Sequence, residues 1–138
     1  MSRVMLIAAD KPLPFCSHCE VRTKTVVVEG TAHTISFPRG FQVSDHSYYR
    51  SCVDGFGYSM KPYQYELDLD PNETDLTHLK NYLSEHLSRG EQAELWSLWV
   101  SDLPERTPLR SRIPLSAVTV STLEQLLAAD DLCITITI

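Results

Sequence analysis

The chain has 138 residues, 12 basic against 18 acidic side chains for a net charge of -6, and shares of 43% apolar and 22% charged residues. That length suits one domain, 1–138, with a core needing no staples, and the composition excludes disorder, collagen and coiled coil as descriptions of the whole. The acidic balance argues against nucleic acid, and no run is long enough to cross a bilayer. The first nine residues are too short for a signal-peptide core, so a cytoplasmic protein with reduced cysteines is expected.

Val4 to Ala9 is apolar on both faces and predicts a central strand, stopped by the prolines of Asp10 to Pro14. Thr23 to Val28 and His33 to Phe37 are β-branched runs joined by Glu29-Gly30-Thr31-Ala32, which predicts an antiparallel hairpin. From Pro38 to Lys61 the periodicity disappears. This stretch reads as a loop containing one or two irregular strands, and it is rich in Tyr, Phe and Gly. Tyr63 to Leu69 alternates cleanly, with Tyr63, Tyr65, Leu67 and Leu69 on the apolar side.

Leu76, Leu79, Leu83 and Leu87 recur at helical spacing and predict a helix opened by Asn72 or Thr74, with Gly90 as its left-handed stop. The strand after it carries Trp96, Leu98 and Val100 on one face and Ala93, Leu95 and Trp99 on the other. With no wet face, it belongs inside a sheet. Leu103 to Leu115, with three prolines and Arg106, Arg110 and Arg112, reads as an exposed loop. Ser121 to Glu124 reads as a capping box opening a short helix to about Ala129. Leu132 to Ile138 predicts a closing strand, apolar at even positions and wet at odd ones. The order implies an α+β domain: a largely antiparallel or mixed sheet with two helices packed on one face. Trp96, Leu98, Leu83, Leu79, Ile134 and Leu6 are expected to share one core.

Three constellations bear on function. Cys16-Ser17-His18-Cys19 could hold structural zinc if Cys52, Cys133, His18, His33 or His46 completed a tetrahedron. The string PFCSHCE resembles the CxHC active site of thioredoxin-fold disulfide oxidoreductases over these few residues. That resemblance implies a redox pair at a helix N-terminus, whereas Val21 to Val28 here reads as strand. Cys52 with His46, Asp45 and Asp54 has the residue types of an activated nucleophile, which would make an enzyme with a site under the 38–61 loop. The carboxylates Glu66, Asp68, Asp70, Glu73 and Asp75 and the three arginines read more simply as solvated surface.

No phosphate loop, metal-ligand quartet or nucleophile elbow is present. The expected function is therefore non-catalytic protein interaction or ligand binding, through Tyr48, Tyr49, Arg50, Phe56 and Tyr58, with Cys16 and Cys19 as the alternative zinc or thiol site. The expected partner is another protein or a second copy in a homodimer, with no cofactor unless zinc is bound, and with neither nucleic acid nor membrane involved.

Overall fold

The computed structural model describes residues 2–100 and 107–138. In chain order the elements are β1 (Ser2–Ala9), β2 (Cys16–Val28), β3 (Thr31–Asp45), α1 (Arg50–Gly55), β4 (Tyr63–Asp68) and α2 (Glu73–His86). They continue with β5 (Gln92–Val100), β6 (Leu109–Pro114), a 3₁₀ turn (Leu115–Ala117), α3 (Val120–Ala128) and β7 (Leu132–Thr137). All seven strands form one mixed sheet in the order β2-β3-β4-β1-β5-β7-β6. Among the described residues only β6 against β7 is parallel. The fold is α+β, and among the described residues no helix is long and apolar enough to cross a membrane.

β1 lies between β4 and β5, and β5 lies between β1 and β7. Successive side chains of a strand point to opposite faces, so two strands with apolar residues on both sides give the sheet two dry faces and two separate cores. On one face Met5, Ile7, Ala9, Leu95, Ile134 and Ile136 meet Leu76, Leu79, Tyr82 and Leu83 of α2 and Leu123 and Leu126 of α3. On the other face Val4, Leu6, Ala8, Trp96, Leu98 and Cys133 meet Val53 of α1 together with Tyr49, Phe56, Tyr58 and Met60. The expectation of one shared core is thus corrected. Leu6, Trp96 and Leu98 lie across the sheet from Leu79, Leu83 and Ile134, because paired Leu6 and Trp96 share the even face.

Local chemistry explains most boundaries and corrects several. Asn72 caps α2 by accepting from the Asp75 N–H, but the helix ends at an extended Leu87, and Gly90 (φ 88°) serves the following turn instead of stopping the helix. The capping box of α3 is Thr119 with Thr122, two residues ahead of the expected serine. α1 and β6 were not expected. β6 is exposed almost throughout, so it carries no hydropathic alternation, and it takes its place by parallel pairing with β7. Arg106 and the first part of its predicted loop lie outside the described residues. The odd side of β7 is drier than expected, with Cys133 fully buried.

Leu83 is fully buried between α2 and the sheet. Leu83→Ala is expected to cost about 2–5 kcal/mol in a denaturant titration with an unchanged m value. A loss below about 0.5 kcal/mol, the level typical of exposed sites, would place the helix at the periphery.

Candidate functional site

All of β2 pairs with β3, from Cys16↔Val43 to Val28↔Thr31, but among the described residues β3 meets β4 only over Gln42–Asp45. From Cys19 and Gly40 outward the two strands have only each other, and they project as a ribbon. The register leaves a two-residue turn, Glu29-Gly30, in which both residues take left-handed φ (52° and 77°), the geometry that matches strand twist in a tight hairpin. At the root, Gly40 (φ 147°) lets the backbones close, since a Cβ there would lie 2.7 Å from the His18 carbonyl oxygen. Arg39 donates from Nε (2.9 Å) and Nη2 (2.6 Å) to Asp70 Oδ1, and the Asp70 N–H in turn donates to the buried Asp75 carboxylate (2.7 Å). These bonds fasten the ribbon to the start of α2, and they give Asp70 and Asp75 structural duties.

The ribbon bares Val21 (75% exposed), Val27 (69%), Val28 (52%) and Ile35 (50%). By the register, Val21 and Val27 face one way, whereas Val28 and Ile35, which is opposite Lys24, face the other. Among the described residues nothing covers either side.

Where the ribbon meets α2, a cleft of about 340 Å³ is lined by Cys16, His18, His78, Asn81, Tyr82, Glu85 and His86. The His18 and His78 rings stack at 4.0 Å and 10°. Parallel planes keep the two in-plane lone pairs from converging on one ion, and among the described residues no group of three or more His, Cys, Asp or Glu could hold a metal. Tyr82 donates its hydroxyl to the Pro14 carbonyl (2.7 Å), and burial raises its pKa above the usual tyrosine range. Burial, reinforced by Glu85, also pushes the Cys16 thiol up, the reverse of what a thiolate nucleophile needs.

Cys16 and Cys19 lie three residues apart on one extended strand. Their side chains therefore point to opposite faces, and at ~3.3 Å per residue their Cα atoms stand about 10 Å apart, beyond disulfide reach. Cys16 turns toward α2, whereas Cys19 Sγ lies 3.5 Å from Gln42 Oε1. All four cysteines are free thiols. The strand does not bring the pair together, either for zinc or for redox exchange.

The aromatic residues expected to bind a partner are divided between cover and surface. Tyr58 stacks on Trp96 (6.0 Å, 10°) and donates its hydroxyl to Asp131 Oδ2 (2.6 Å), while Phe56 and Tyr49 pack on the same core. Arg110 lies 4.9 Å over the same Trp96 ring and donates to the Ser59 carbonyl (3.0 Å). Tyr48 remains 82% exposed, edge-on to Tyr49, and the Arg50 Nε donates to the His46 carbonyl (3.1 Å). His46 is buried and neither ring nitrogen has a hydrogen-bond partner, so it does not activate the exposed Cys52. Sequence reasoning missed Arg110 over Trp96 and the two stacked imidazoles, because neither pair has a local spacing that announces it. Burial, with Asp68 adding to it, raises the Glu66 carboxyl above the ordinary range.

Comparison with protein-family models, curated proteins and solved structures found no match.

Under mild oxidation, peptide mapping is expected to find no Cys16–Cys19 disulfide, and insulin reduction should be absent. An intramolecular Cys16–Cys19 bridge formed without loss of the fold would contradict the strand geometry.

Proposed function

We propose that the chain is a non-catalytic protein-binding module that takes an extended segment of a partner, or of a second copy of itself, along the outer edge of β2. The carrying observation is the contrast between the two ends of the sheet. β6 is six residues long, bears Arg110 and Arg112 and finishes at Pro114, features that discourage further pairing. β2 is thirteen residues long and continues into a ribbon with Val21, Val27, Val28 and Ile35 bare. An unpaired edge offers alternating N–H and C=O groups that bind a new strand, and side chains on alternate faces supply selectivity. A two-stranded ribbon is marginal in water, so a third strand also stabilises what it joins.

The aromatic cover supports the same reading by exclusion: Tyr49, Phe56 and Tyr58 are occupied with the second core, which leaves Tyr48 and Arg50 as the exposed members of the set first expected to bind. Val21→Lys combined with Val27→Lys puts charge on the ribbon while touching no core contact. The expected result is at least tenfold weaker association, about 1.4 kcal/mol, with either the captured protein or a second copy, measured by light scattering and by capture from the source cell. Folding stability should stay within about 0.5 kcal/mol for each exposed substitution. Undiminished association in this variant would refute the proposal.

A further inference from the structure

The segment 46–60 roofs the second core through Tyr49, Val53, Phe56 and Tyr58, and hydrogen bonds hold its far end. There Tyr58 bonds Asp131 (2.6 Å), and the Lys61 N–H donates to Glu94 Oε1 (2.7 Å), which also accepts from Trp96 Nε1 (3.3 Å). Its near end, where β3 gives way to α1, holds His46. That side chain is 2% exposed, and both its nitrogens lack partners. A buried polar group with no hydrogen bond costs about 1–3 kcal/mol, and a charged one costs more.

We infer that His46 is an acid-sensitive latch: neutral, it lets the 46–60 segment close over the second core, and protonated, it lifts that segment to bare Trp96 and Cys133. The charged groups facing it are Arg50 and Asp54 of α1 and Asp45 at the end of β3. Burial first, and Arg50 second, push its pKa below 6.5, while Asp54 and Asp45 pull the other way without reaching either nitrogen. The closed form therefore binds its proton less readily than the open one. Closure is fully favourable above pH 6.5, the ordinary value, and weakens as the pH falls through it. This inference does not depend on the strand-addition proposal.

Cys133 is an internal reporter, fully buried on the same core, with burial as the first cause of a thiol pKa pushed up to about 12. In a chain carrying Cys16→Ser, Cys19→Ser and Cys52→Ser, its labelling by 4,4′-dithiodipyridine is followed from pH 7.5 to 5.5. Each rate is divided by the rate for the same chain in guanidinium. The normalised rate is expected to rise by up to about tenfold per pH unit below 6.5, the limit for uptake of one proton, with far-UV circular dichroism unchanged. His46→Leu and His46→Gln should each flatten the profile to less than about a twofold change, since neither takes up a proton in this range. His78→Asn, which removes a stacked imidazole from the opposite face, should leave the rise intact. The inference is overturned by a flat profile in the His46 chain, by slower labelling in acid, by an equal rise in both His46 variants, or by labelling that tracks loss of the whole fold.

Discussion

The structure depends on one constraint: β1 and β5 are apolar on both sides and are hydrogen-bonded to each other over eight residue pairs. A pair of strands like this cannot leave either face in water. At roughly 25 cal/mol for each Å² of apolar surface buried, one uncovered face of such a pair forfeits several kcal/mol, a large part of what a domain of this size has to spare. The two covers differ in kind. α2 and α3 contribute regular leucine faces to the first core, whereas the second is closed by six helical residues and a run of aromatic side chains.

That difference explains what the sequence discloses. Leucines at three- and four-residue steps mark α2, alternation marks β4 and the even side of β7, and continuous apolar runs mark β1 and β5. In each case burial is repetitive and local. α1 lacks the mark because Val53 is its one buried residue, and β6 lacks it because its strand character comes from pairing and not from burial. The long 38–61 stretch misled for a related reason. Its first part, through Asp45, continues β3, and there Phe41 and Val43 are buried in the first core, but two alternating apolar residues are too few to show a period. The expected single core failed on parity: residues on one strand read as one apolar run until the pairing assigns odd and even members to opposite sides.

The candidate surfaces were legible in composition and illegible in geometry. Exposed Val21 and Val27 look like ordinary strand residues until the register shows that β3 has no further neighbour beside them. Cys16 and Cys19 look like a pair until the strand separates them. His18 and His78 are sixty residues apart in the chain, and only the packing of β2 near α2 makes them touch. His46 is the plainest case, since nothing in its neighbours' identities indicates that a loop histidine should be sealed from water on both nitrogens.

The position of β1 also has a consequence for how the chain assembles. β1 occupies the middle of the sheet, and its two neighbours are β4, whose paired residues lie about sixty positions later, and β5, about ninety later. Neither contact is available until the chain through β4 or β5 has left the ribosome. Loops of that length must close before any pairing rewards them, which gives a high contact order and places refolding in the slow, millisecond-to-second class of β-rich domains. In the meantime a strand apolar on both sides stays unpaired, which is the kind of segment that aggregates before a domain is complete.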